Sequence, residues 1–212
     1  MDRAIYLLSP MIYEGTISLP MIQFKIIADS IDFSSCDTLM FTSKEAVKSA
    51  NILDIAWKDY PCLAIGSATA KQIIELGGKV EYHPSSFYGQ TLSQDILEKF
   101  KNRKILYLRP KVISFDSKSF LAKSNIILDE QIIYETTCVD YQEKEQPSKN
   151  AIIVFTSPST IKCFFKSFRW DESYTAIVIG ESTKEHLAEN IYYEIADEPT
   201  IKACVAKAKA LE

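Results

Sequence analysis

Short apolar runs alternate with amphipathic stretches along most of this chain. The runs at 4–8, 36–41, 62–65, 104–108, 151–155 and 176–179 are β-branched or apolar apart from Asp37 and Lys104 near the start of two of them, as expected of strands buried on both faces. Between them, apolar residues recur at helical spacing. Ala46, Val47 and Ala50 mark one helix, and Leu92, Ile96, Leu97 and Phe100 another over 91–100. A third, over 68–76, stops at Gly77-Gly78, and a strand over 79–82 follows. A helix over 115–123 and a strand over 125–128 continue the alternation. Buried strands that alternate with helices predict parallel sheets covered on both faces. Local signals mark the helix starts. Thr42-x-x-Glu45 fits a capping box, and Ser157 stands as an N-cap before Pro158 at the first helical position.

The pattern repeats. Phe41-Thr42-Ser43 returns as Phe155-Thr156-Ser157, and Ile65-Gly66-Ser67-Ala68-Thr69 as Ile179-Gly180-Glu181-Ser182-Thr183. The offsets agree (155 − 41 and 180 − 66 are both 114), so two copies of one unit are expected. They are not in simple tandem. One unit fills 31–131, and the other needs the N-terminal strand to complete 140–212. The sequence therefore predicts a discontinuous α/β domain, 1–21 plus 140–212, with a second domain, 31–131, inserted into it. The β-prone crossings 22–30 and 132–139 are expected to pair as a two-stranded β-ladder. The polar stretch 142–150 reads as a loop.

Composition narrows the classes. The net charge of −4 over 212 residues argues against a nucleic-acid binder. No apolar run is long enough to cross a bilayer, and the N-terminus lacks the features of a secretory signal, so a cytoplasmic protein without a membrane partner is expected. The cysteine count is five, an odd number without a CxxC spacing, which predicts reduced thiols. With His83 and His186 the only histidines, no metal site is expected.

The candidate chemistry gathers where strands end. Gly66-Ser67-Ala68-Thr69 and Gly180-Glu181-Ser182-Thr183 each join a strand to a helix N-terminus, where backbone N–H groups, hydroxyls and the helix dipole can cradle an anion. Ordinary capping explains such turns equally well. Thr42-Ser43 and Thr156-Ser157 fall on the same edge of their sheets, where open α/β sheets bind ligands. Arg109 and Lys111 follow the strand 104–108 and offer cations to a carboxylate or phosphate, or else a solvated loop. Tyr134 stands in the return crossing, where its phenol can donate a proton or simply fill an interface. Glu130 and Glu135 read as surface acids.

Taken in order, these motifs resemble the uroporphyrinogen-III synthases. The resemblance spans about 36 to 190 and rests on Phe-Thr-Ser at 41–43, Ile-Gly at 65–66, Arg109, Tyr134-Glu135-Thr136, Phe-Thr-Ser-Pro-Ser at 155–159 and Ile-Gly-x-Ser-Thr at 179–183. It implies two flavodoxin-like, doubly wound parallel-sheet domains joined by a two-stranded β-ladder. It implies cyclisation of the linear tetrapyrrole hydroxymethylbilane to uroporphyrinogen III, with loss of water and inversion of ring D, by a lyase that needs no cofactor and no metal. Tyr134 matches the family tyrosine proposed to assist loss of the hydroxyl. Ser43, Thr69, Ser157, Ser182 and Thr183 match positions lining the substrate cleft. A monomer is expected, with hand-over from the hydroxymethylbilane-producing enzyme as a further partner. The chain departs from the family pattern in three places. Leu8-Ser9-Pro10 lacks the basic residue usual near the end of the first strand, the helix after that strand is missing, and Pro110 replaces a common glycine. A rival reading is a two-domain protein that binds a small anion without turning it over. Another is an α/β enzyme acting on sugar phosphates.

Overall fold

A computed structural model describes residues 3–86 and 88–211. The chain forms two compact units, one from 3–23 with 137–211 and the other from 24–136. It crosses between them twice, each time within a strand.

The first unit holds five strands. They are β1 (Ile5–Leu7), β2 (Ile17–Ser18), β9 (Ile152–Phe155), β10 (Thr175–Val178) and β11 (Tyr193–Ile195), in spatial order β11-β10-β9-β1-β2. All pairings are parallel, and β1 lies beside β9 with Ile5 opposite Ile152. Numbered from its own first strand, this is the 2-1-3-4-5 order of flavodoxin-like sheets. The second unit holds β3 (Ile22–Ile26), β4 (Thr38–Phe41), β5 (Pro61–Ala64), β6 (Lys79–Tyr82), β7 (Ile105–Pro110) and β8 (Leu128–Cys138), in order β3-β8-β7-β4-β5-β6. Around these sheets run α1 (Lys44–Leu53), α2 (Ser67–Glu75), α3 (Gly89–Lys99), α4 (Ser117–Ala122), α5 (Pro158–Ser167), α6 (Glu181–Lys184) and α7 (Ile201–Lys209).

The sheets are doubly wound because their strands are apolar on both sides. In β9, Ile153 and Phe155 enter one apolar cluster and Ile152 and Val154 the other. In β4, Leu39 and Phe41 pack toward α1, Trp57 and Ile73, while Met40 packs toward Leu92, Ile96 and Leu121. Side chains alternate across the pleat, so successive residues at a strand end serve opposite faces.

The repeat extends beyond the two motifs. The 114-residue offset carries β4 onto β9 (38 to 152), β5 onto β10 (61 to 175), β6 onto β11 (79 to 193), α1 onto α5 (44 to 158) and the start of α2 onto that of α6 (67 to 181). Because β7 flanks β4 as β1 flanks β9, Ile105 corresponds to Ile5 and Tyr107 to Leu7. The expected missing helix is missing: β1 runs to β2 with no helix between them, whereas α4 separates β7 from β8.

Several expectations need correction. The strand expected at 125–128 and the return crossing are one strand, β8, which pairs in parallel with β7 from Leu128 to Tyr134 and so belongs to the sheet. Asn125 instead takes a left-handed turn (φ 59°). The crossing strands do meet. Ile27 N–H donates to Ile133 C=O and Val139 N–H to Met21 C=O, an antiparallel sense. Thr42 does not cap α1. Ser43, itself extended (φ −158°), does, accepting from Ala46 N–H, while the Thr42 hydroxyl is tied to Tyr107 instead. The thiols are not all reduced. Cys138, at the end of β8, is disulfide-bonded to Cys163 in α5, their Cα atoms 5.2 Å apart, while Cys36, Cys62 and Cys204 are free. Nothing in the spacing of the cysteines hints at that approach. At the stop of α2, Gly77 has φ 85°. A Cβ on Gly78 would lie 2.3 Å from the Trp57 ring, so glycine there permits close packing.

Candidate functional site

In the second unit, the candidate residues collect where β4, β7 and β8 end. Thr42 and Ser43 leave β4 in succession and so point to opposite faces of the sheet. Ser43 Oγ lies 2.8 Å from the Tyr134 hydroxyl, on the face covered by α1. Thr42 Oγ1 lies 2.6 Å from the Tyr107 hydroxyl, on the face covered by α3 and α4. Both phenols are nearly fully buried, Tyr107 at 2% and Tyr134 at 4% exposure. Two hydroxyl pairs therefore straddle one sheet edge.

The hydrogen-bond count decides what Ser43 and Tyr134 can do. Ser43 Oγ accepts from Ala46 N–H at 3.0 Å, which uses one lone pair. If Tyr134 donates to Ser43, the serine O–H remains to donate elsewhere. If Ser43 donates, the phenol O–H remains. One proton is left over either way. Burial pushes Tyr134 up to about 12, with the Ser43 contact opposing it, so the phenol is protonated at neutral pH. Phe24 meets the ring edge-on, with centroids 5.9 Å apart, and fixes its orientation.

A cavity of about 210 Å³ opens beside the Thr42–Tyr107 pair. Thr42, Ser43, Tyr107, Gly89, Ser114 and Ser117 supply its polar lining and Ile65, Val112 and Phe115 part of its apolar wall. Neutral donors dominate because the nearby cations are already engaged. Arg109 Nε lies 3.3 Å from Glu130, and its Nη1 donates to the Pro110 carbonyl. Lys111 pairs with Glu135 at 2.9 Å. Glu130 is thus no surface acid: its side chain is 13% exposed, held against Arg109.

The remaining candidates are dispersed. Gly66 begins α2 with extended backbone (φ 178°) and no side-chain cap, Ser67 is exposed, and Thr69 is 4% exposed. In the first unit, Ser157 caps α5 and is reciprocally tied to Thr160. Thr156 precedes it, half-buried. Gly180 begins the four-residue α6, where Ser182 is exposed and Thr183 is buried at 1%. The units differ at the phenols. Leu7 takes the place of Tyr107, and β2 ends at Ser18, opposite Leu7, so its pairing with β1 stops short of the level that β8 reaches at Tyr134. Among the described residues, no cluster of three His, Cys, Asp or Glu could hold a metal ion, and no helix is long and apolar enough to cross a membrane.

Sequence reasoning missed Tyr107. It sits inside Ile-Leu-Tyr-Leu, a run that reads as core. The available signal was a hydroxyl within the otherwise apolar run 105–108.

The family model for uroporphyrinogen-III synthase HemD matches residues 10–206. The chain belongs to that family. A curated relative from Ruminiclostridium josui, "Porphyrin biosynthesis protein HemD", is 32% identical over 154 residues, which is 68% of this chain and 30% of the relative. The chain thus aligns with under a third of that longer protein. The crystal structure of uroporphyrinogen-III synthetase from Helicobacter pylori 26695 superimposes with a TM-score of 0.84 at 26% identity, covering 99% of this chain and all of that one. A mutant uroporphyrinogen III synthase from the extreme thermophile Thermus thermophilus shares the fold at TM-score 0.56 and 12% identity, covering 99% of this chain and all of that one. The two-sheet architecture is therefore that of the synthase family.

Proposed function

We propose that this chain cyclises hydroxymethylbilane to uroporphyrinogen III, as a lyase that works without cofactor or metal. The observation that carries the reading is the Ser43–Tyr134 hydroxyl pair with its leftover proton, set at a sheet edge lined by neutral donors. The linear tetrapyrrole carries many carboxylates, which distributed O–H and N–H donors suit better than one strong charge. The hydroxymethyl oxygen on ring A receives the proton of the pair. The C–O bond breaks, water departs, and the pyrrole nitrogen supplies electrons to form an azafulvene. Ring D attacks that carbon through its substituted position and gives a spiro intermediate. Reopening and reclosure reverse ring D, and loss of a ring proton restores the phenol. The protein's larger task is to hold the folded geometry, because unguided closure gives the unreversed isomer.

We propose also that Thr69, Ser157, Ser182 and Thr183 contribute hydroxyl donors to substrate binding. Arg109 and Lys111 reach substrate only by exchanging their glutamate partners. The exposed Glu181 makes the turn at Gly180 the weaker anion cradle. A cytoplasmic monomer that receives its substrate from the hydroxymethylbilane-producing enzyme fits this chemistry.

The test is consumption of hydroxymethylbilane in EDTA-treated buffer. Loss proportional to time and enzyme concentration over many turnovers supports the reading. Stoichiometric protection of the substrate, without turnover, supports the anion-binding alternative instead.

A further inference from the structure

We propose that Tyr107 is a positioning residue of this site: its phenol holds the Thr42 hydroxyl so that one O–H of the pair points into the adjoining cavity and binds an oxygen of the tetrapyrrole. The inference rests on the synthase reading and deepens it.

Three observations carry it. First, Tyr107 and Thr42 both line the cavity, whereas Tyr134 is not among its described lining residues. The pleat explains this, since Tyr107 packs with the α3 and α4 side and Tyr134 with the α1 side. The phenol that borders the open space is therefore not the one to which the sequence resemblance pointed.

Second, the pair has a proton to spare. Thr42 and Tyr107 each bring one O–H, and a single hydrogen bond of 2.6 Å joins them. Among the described residues, neither hydroxyl has another hydrogen-bond partner. One O–H is thus available to an acceptor in the cavity, and the other fixes its direction.

Third, the fold does not require the phenol. The equivalent position in the first unit is Leu7, wholly buried in an equivalent strand. The strand position that carries Tyr107 in one unit thus carries leucine, not a phenol, in the unit that holds Thr156, the counterpart of Thr42. Burying a hydroxyl where leucine would pack costs stability unless the hydroxyl is hydrogen-bonded, and here it is tied to Thr42. No lysine or arginine is among the cavity's described lining residues, and the neighbouring Arg109 and Lys111 are paired with Glu130 and Glu135, which leaves oriented hydroxyls to do the holding.

The experiment compares Tyr107→Phe, Thr42→Val and Thr42→Ser in the full chain. It measures KM and kcat for hydroxymethylbilane, the type III fraction of the product and the unfolding midpoint. Tyr107→Phe and Thr42→Val are each expected to raise KM about five- to tenfold, the value of one oriented hydrogen bond, with kcat changed less than twofold. The double variant should be no worse than either single one, and Thr42→Ser should keep the wild-type KM. Unchanged KM in Tyr107→Phe, with wild-type turnover intact, overturns the role of Tyr107 alone, whether or not the midpoint falls. A wild-type chain that yields no type III product above the spontaneous rate overturns the synthase reading and this inference with it.

Discussion

The Tyr134 hydroxyl lies 2.8 Å from Ser43 Oγ, and that same oxygen caps α1 by accepting Ala46 N–H. One serine thus ends a strand, starts a helix and holds a buried phenol. Removing the phenol oxygen alone is the cleanest perturbation. Tyr134→Phe keeps the ring against Phe24 and should leave the unfolding free energy within about 1 kcal/mol of wild type. Its kcat should fall about tenfold or more, the usual scale for losing a positioned proton donor. Steady-state kinetics decides, and an unchanged kcat removes Tyr134 from the chemistry.

Ser43 and Ser157 cap helices at corresponding places in the repeat, but of the two it is Ser43 that meets a phenol. Ser43→Ala and Ser157→Ala should each lose about 1 kcal/mol of stability, or roughly 2–4 °C in a chain of this size. Ser43→Ala should lose much more turnover than Ser157→Ala. Equal losses of activity at equal losses of stability would mean that capping is all Ser43 does.

Alkaline pH separates catalysis from stability. Burial raises Tyr134 to about 12, Cys62 to about 12 and Cys204 to about 11. The folded chain therefore holds these protons more tightly than the unfolded one, whose thiols and phenols release theirs near pH 9–10. Stability present at neutral pH is lost as pH rises from about 9 toward 12, with Tyr134 alone accounting for about 2–3 kcal/mol. Urea unfolding at pH 8 and pH 11 should show a smaller loss in Tyr134→Phe than in wild type. The ratio of wild-type to Tyr134→Phe turnover should stay constant from pH 6 to pH 10, and a midpoint near pH 8 would contradict a phenol held protonated.

The Cys138–Cys163 disulfide closes a loop of 25 residues in separation. Chain entropy gives it about 3.5 kcal/mol. Dithiothreitol should lower the urea midpoint of the oxidised protein and raise the titratable thiols from those of Cys36, Cys62 and Cys204 to all five cysteines. Titration of all five before reduction would show that the bridge does not form in the isolated protein.

Much of the fold was legible in the sequence because its causes are local. Apolar runs such as Ile-Ile-Val-Phe demand burial on both faces, Gly77 takes a left-handed turn, and Ser157-Pro158 starts a helix by its own chemistry. The repeat was visible as a fixed offset, and the structure extends that offset to strands whose side chains share little likeness. What escaped depends on contacts distant in sequence. The Tyr107–Thr42 bond spans 65 residues and the Tyr134–Ser43 bond 91. Glu130 reads as a surface acid until β8 lies beside β7 and brings it to Arg109. The choice of Ser43 over Thr42 as cap turns on one residue of strand length.

The most direct measurement supplies hydroxymethylbilane to the purified chain, oxidises the products and separates the uroporphyrin isomers. The type III isomer should predominate, formed faster than spontaneous closure allows and more slowly by Tyr134→Phe. Type I isomer alone, at the rate seen without protein, would contradict ring inversion at this sheet edge.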